Sequence, residues 1–206
     1  MMIEWLRSLC GIFVQKYSYA AVFRYIRSGL SGIAEEEADL LENYVLALGV
    51  RGAKRWEERF IRSYKGLTEE ELEQIDGYRA RVAEDLLPFV KIQRKKAVDV
   101  RTRTTALYEL IAKKGIQGRL AVFEERFKRE HNEVLAKEYH QIYGILMDLL
   151  DKLVDLLGEE ELTIREYTEI LEAGFAEVRV GVIPPGVDQV MAGDMERTRL
   201  KEVKVL

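Results

Sequence analysis

Several residue types that carry chemistry are scarce in this chain of 206 residues. It has one cysteine, Cys10, so no disulfide closes within it and no cysteine-based zinc or iron–sulfur site can be assembled. That usage suits a reducing, cytoplasmic setting. Only two histidines occur, His131 and His140, so any metal site would lean on carboxylates. Neither stands in the Glu-x-x-His spacing of a helical di-iron centre, and both read as surface or interfacial helix residues. There are three prolines, too few to interrupt helices often. No apolar run reaches 18 residues, so no membrane span is expected, and the first residues lack the features of a signal peptide. A Gly-x-x-x-x-Gly-Lys-Ser/Thr phosphate loop, a Gly-x-Gly-x-x-Gly turn and a Gly-x-Ser-x-Gly elbow are all absent. No catalytic residue, cofactor site or metal site is therefore assigned within the chain.

Hydrophobic residues make up 48% and charged ones 33%, enough for a sizeable core under a solvated surface. Leu, Glu, Ala, Arg and Lys dominate, which favours helix. The spacing predicts helices over 2–16, from Ser18 to near Gly29, over 35–48, and again around 54–63. Thr68-Glu-Glu-Glu71 is a capping box for a helix that should stop near Leu87, before Pro88. A helix over about 98–114 follows. The longest should run from about Arg119 to Leu157, roughly 55–60 Å, against a radius of gyration of about 17 Å for a chain this size. Leu135, Tyr139, Ile142, Leu146, Leu149, Leu153 and Leu156 form its heptad-like seam, with a break near Gly144 as the competing reading. Thr163-Ile-Arg-Glu166 opens a last helix, to about Glu172 and closed at Gly174.

Beyond it the period changes. Val178, Val180 and Val182 alternate as a strand, Ile183-Pro-Pro-Gly186 reads as a turn, Asp188–Ala192 as a second strand, and Val203–Leu206 as the start of a third. The expectation is a mainly α fold: a multi-helix bundle with one very long helix over 1–176, plus a small β portion, 177–206, of an incomplete α/β domain. A β-branched ending of this kind points to a longer parent protein; a true edge strand is the competing reading.

The net charge is −4, with no global sign of nucleic-acid binding. Its distribution is uneven. Arg51, Lys54, Arg55, Arg59, Arg62 and Lys65 cluster with Trp56, Phe60 and Tyr64, which fit a core better than a stacking platform. Lys91, Arg94, Lys95, Lys96, Arg101 and Arg103 cluster with Thr102, Thr104 and Thr105. Such sets suit a groove for a phosphate backbone, or simply a solvated basic face next to acidic ones such as Glu69–Glu73. Asp151–Glu177 holds nine acids and two bases, so it cannot face DNA.

Two stretches together resemble a known family. One is Ala21-Val-Phe-Arg-Tyr-Ile-Arg-Ser-Gly-Leu-Ser-Gly-Ile33, followed by Leu41-Glu-Asn-Tyr-Val-Leu-Ala-Leu-Gly-Val-Arg-Gly-Ala-Lys-Arg-Trp56. The other is Gly181-Val-Ile-Pro-Pro-Gly-Val-Asp-Gln-Val-Met-Ala-Gly-Asp-Met-Glu-Arg-Thr-Arg-Leu200. Both resemble the B subunit of bacterial ATP-dependent helicase/deoxyribonuclease, the AddB type. The resemblance implies a parent that pairs with a motor-nuclease A subunit, acts on double-strand DNA breaks for recombinational repair, and uses ATP, Mg and an iron–sulfur cluster outside this span. It implies a 2B-like helical insertion followed by the start of a 2A-like helicase domain. A Thr-x-His-x-x-Lys-Gly-Leu-Glu motif of related active helicases corresponds here to Ala192–Leu200, where the His and Lys are missing. A helicase-like segment that is not itself a motor follows. Arg197 and Arg199 in that loop suit a phosphate, and pairing of Asp194 with Arg197 is the alternative. The candidate DNA contacts are Arg51, Arg55, Lys95, Lys96, Arg101, Arg197 and Arg199. The rival function is a helical protein–protein adaptor that uses the Leu135–Leu156 seam; pairing of two copies is left open.

Overall fold

A computed structural model describes residues 1–93, 95 and 97–178. The chain is mainly α, with nine helices and one short two-stranded sheet among the described residues. The central helix is α1 (Met2–Val14), which buries Trp5, Leu6, Leu9 and Ile12 completely. Burying each such side chain is worth about 1.5–3 kcal/mol. Against α1 pack α2 (Tyr19–Ile26) and, at the far end of the sequence, α9 (Ile164–Glu177). Helix α3 (Glu35–Leu48) lies on α5 (Glu69–Gln93), and the short α4 (Ala53–Glu57) joins them. Helix α6 (Val100–Lys113) packs on α5 and on the pair α7 (Ile116–Arg129) and α8 (Glu133–Leu157).

The expected local signals form. Ser18 Oγ accepts from the Ala21 amide and starts α2. Thr68 and Glu71 exchange side-chain and backbone bonds at 2.9 and 3.2 Å, and Thr163 and Glu166 do so at 2.8 and 3.3 Å. Gly49, at φ 61°, ends α3 in the left-handed conformation that glycine tolerates best.

Five expectations change. First, the stretch from Arg119 to Leu157 is two helices. His131 takes φ 56°, the Asn132 amide reaches back to the Phe127 carbonyl at 2.8 Å, and Asn132 Oδ1 caps Leu135 at 3.2 Å. The chain reverses there, so α8 is about 37 Å long and pairs with α7 along Phe127, Tyr139 and Leu120. Leu146, Leu150 and Leu153 are buried, whereas Leu156 is 81% exposed and leaves the seam.

Second, α5 runs through Pro88. Leu86 and Phe89 on either side are buried, and Phe89 meets Phe13 of α1 at 5.6 Å. Packing at both flanks outweighs the cost of roughly 3 kcal/mol that an interior proline carries. Third, the helix expected over 54–63 ends at Glu57. Fourth, α9 continues past Gly174, whose missing side chain admits Leu149: a Cβ there would lie 2.8 Å from Leu149 Cδ1. This glycine serves close helix approach rather than termination. Fifth, Val98–Asp99 (β1) pairs antiparallel with Glu161–Leu162 (β2), and Asp99 caps α6 through the Thr102 amide at 2.7 Å. The strands expected over 178–206 lie outside the described residues, apart from Val178, whose amide donates to the Phe175 carbonyl at the end of α9.

Candidate nucleic-acid interface

The first basic stretch begins where α3 stops. Gly49 and Gly52 both hold positive φ and turn the chain into α4, which buries Trp56 and leaves Arg51, Lys54 and Arg55 exposed. After Glu57 comes a non-helical arm, residues 58–64. Its Phe60 ring stacks on Tyr44 at 4.7 Å and lies 6.0 Å from Trp56. The Phe60 amide donates to Asp76 Oδ1 at 2.8 Å, and the Tyr44 hydroxyl donates to the Arg62 carbonyl at 2.7 Å. Asp76 also takes Arg79 Nε at 2.6 Å, while Arg79 Nη1 donates to the Trp56 carbonyl at 3.0 Å. Burial opposes the Asp76 charge, but the Arg79 and Phe60 donors outweigh it and hold the carboxyl below its usual range. The arm is therefore clamped from three sides.

Between the end of α3 and this arm lies a cleft of about 90 Å³. Arg55, Arg59 and Arg62 line it beside Leu48, Phe60 and Ile61. Arg59 faces Asp76 at 3.6 Å and Glu73 at 3.8 Å. Among the described residues, Arg51, Arg55 and Arg62 have no carboxylate partner. Glu58 also lines the cleft, but Lys54 stands 3.7 Å from it. Guanidiniums without internal partners around a concave surface are suited to bidentate bonds with phosphate oxygens.

The second basic stretch is arranged otherwise. Lys91 and Lys95 are exposed, but Arg101 is held by Glu159 at 3.0 Å, and neither Lys95 nor Arg101 lines the cleft. Arg103, part of the same charge run, is 1% exposed. Its Nη2 donates to the Leu162 carbonyl at 2.9 Å and its guanidinium stands 5.9 Å from the Tyr167 ring centre. Among the described residues its Nε and Nη1 have no acceptor. Burial lowers its pKa. Thr104 is likewise internal, bonded to the Tyr167 hydroxyl at 3.0 Å. Lys96, Arg197 and Arg199 lie outside the described residues.

Of the seven candidate contacts, only Arg55 is shown on the cleft; Arg51 is exposed just before α4. The residues that sequence reasoning left out are those that shape the cleft: Tyr44, Ile61, Asp76 and Arg79. No local signal marked them, since adjacent residues of a helix also differ in exposure, as Val45 and Leu46 of α3 do.

Relatives cover the whole chain. The B subunit of the ATP-dependent helicase/deoxyribonuclease of Lachnoclostridium phytofermentans is 39% identical over 207 residues, 99% of this chain. The same-named proteins of Clostridium novyi and Acetivibrio thermocellus are 39% and 38% identical over all of it. This chain belongs to the family of ATP-dependent helicase/deoxyribonuclease B subunits. It spans 18–19% of the length of those relatives. No family model matches it. The iron–sulfur cluster that the resemblance implies for a complete B subunit does not fit the cysteine content here. Cys10 is alone and buried, its thiol pushed up to about 12 by desolvation, and it cannot supply a cluster's cysteines. Among the described residues, no three His, Cys, Asp or Glu side chains converge as metal ligands, and no helix is long and apolar enough to cross a membrane.

Proposed function

We propose that this chain is a non-catalytic, helicase-like segment of a helicase/deoxyribonuclease B subunit that supports the assembly with its A-type partner and guides DNA along a basic face. The parent would act in double-strand break processing and recombinational repair, with ATP-driven and nuclease steps carried elsewhere. In this reading residues 1–176 are the 2B-like helical insertion and 177–206 begin a 2A-like domain. The observation that carries the DNA role is the cleft lined by Arg55, Arg59 and Arg62, of which Arg55 and Arg62 have no carboxylate partner among the described residues while Arg59 faces Asp76 and Glu73. The acidic run Asp151–Glu177 is unsuited to a polyanion, and none of its residues lines the cleft.

The test is binding to single-stranded and duplex DNA across a salt series. Affinity should fall steeply with salt, as counterion release requires. Arg55→Glu with Arg62→Glu should weaken it about tenfold or more at low salt. A chain that binds neither form at low salt contradicts the reading. The adaptor alternative then takes over, and it has an observation of its own. An apolar cleft of about 320 Å³ lies between Met1, Met2 and Ile3 at the start of the chain and Leu120, Tyr139 and Ile142 of the α7–α8 pair.

A further inference from the structure

We infer that the arm 58–64 presents Ile61 as an apolar contact for an unstacked base, with Arg55 and Arg62 on the neighbouring phosphates, so that the cleft takes a single nucleic-acid strand rather than a generic polyanion. This rests on the DNA reading above and makes it specific.

Ile61 is 75% exposed and lines the cleft with Arg55, Arg59 and Arg62. A lone exposed isoleucine on a loose loop would need no explanation. This one is on a braced segment. Its neighbour Phe60 is buried, stacked on Tyr44 and tethered by its amide to Asp76. Its other neighbour, Arg62, has its carbonyl held by the Tyr44 hydroxyl. Asp76 is in turn set by Arg79, which is itself fixed on the Trp56 carbonyl. The backbone on both sides of Ile61 is thus pinned, and the side chain is offered outward with little left to order on binding.

What surrounds it selects the partner. A strand of nucleic acid alternates a compact anion with a flat apolar face, and the cleft is lined by Ile61 together with Arg55 and Arg62. Aliphatic side chains wedge against base faces in kinked duplexes, and an already unstacked base offers the same face without the unstacking cost. An acidic peptide satisfies the arginines but offers nothing that needs Ile61. A paired, stacked duplex offers phosphates but shows a base face only after a step is unstacked, at a cost of about a few kcal/mol.

The experiment uses the full 206-residue chain, a short fluorescein-labelled oligothymidylate, and the same oligomer with abasic sugars in place of its nucleosides. Anisotropy at low salt should show the thymidylate bound about five- to tenfold more tightly than the abasic strand. Ile61→Ala should erase that difference while leaving abasic binding within about twofold. Arg55→Glu with Arg62→Glu should weaken both strands together. Circular dichroism of Ile61→Ala should match the parent, since the side chain is solvent-facing. Equal affinity for the two strands, or an Ile61→Ala variant that keeps the preference, overturns the inference and leaves the DNA reading standing. Polyglutamate that competes as well as thymidylate overturns it too. Loss of binding to every strand at low salt removes both.

Discussion

The segments Arg51–Lys65 and Lys91–Arg103 hold six cations each, with two acids in the first and one in the second. By charge they are twins. In the folded chain they part company. The first keeps its cations at the surface because its apolar residues, Trp56 and Phe60, turn inward and are fixed there by Tyr44 and Arg79. The second is spread over the end of α5, β1 and the first turn of α6. There, helical phase points Arg103 into the core and Arg101 toward Glu159. What keeps a basic segment at the surface is where its neutral residues anchor it, more than how many charges it carries.

Four measurements would break or sharpen this contrast. The largest effect belongs to Arg103. Arg103→Ala should cost about 2–4 kcal/mol in urea unfolding, because it empties a packed site and removes the bond to Leu162. Arg103→Met should stay within about 1 kcal/mol of the parent or exceed it, since it refills the space without a buried charge. Neither should change the DNA affinity of the folded chain. If Arg103→Met abolishes DNA binding at full stability, the second stretch is a binding surface after all.

Next is the paired reversal Arg55→Glu with Arg62→Glu. It should lower DNA affinity about tenfold or more with stability changed by less than about 0.5 kcal/mol, the reverse pattern to Arg103.

Asp76→Asn should come third, costing about 1–2 kcal/mol because Arg79 and the Phe60 amide lose a charged acceptor. The folded state holds the Asp76 carboxyl below its ordinary value near 3.9, so its contribution is complete above about pH 4. That contribution fades as pH falls through the lower, folded value. The stability gap between parent and variant should therefore close in acid, and a gap that widens there would contradict the clamp.

The smallest effect is expected at Arg101. Its pair with Glu159 is exposed, so Arg101→Ala should move stability by less than about 0.5 kcal/mol. It should also leave DNA binding nearly unchanged.

The family blocks Leu41–Trp56 and the turn before them were legible as sequence, and the cleft lies at the end of that very stretch. Its shape was not legible. Helical spacing of Trp56, Phe60 and Tyr64 suggested one continued helix, whereas Asp76, 16 residues past Phe60, captures the amide that would have continued it. Likewise a glycine at 174 and a proline at 88 read as stops, yet both sit inside helices.

Local sequence by itself determined the helical class and most helix starts. Ser18, Thr68, Asp99 and Thr163 each act through bonds to an amide three residues on, and such bonds form whatever the rest of the chain does. Tertiary structure alone decided that α5 passes Pro88, that Gly174 admits Leu149, that Arg103 goes inside and that the arm carrying Ile61 is held open to solvent. Each of these is a contest between a local preference of a few kcal/mol and burial against residues distant in sequence, and only the assembled core sets the size of the second side.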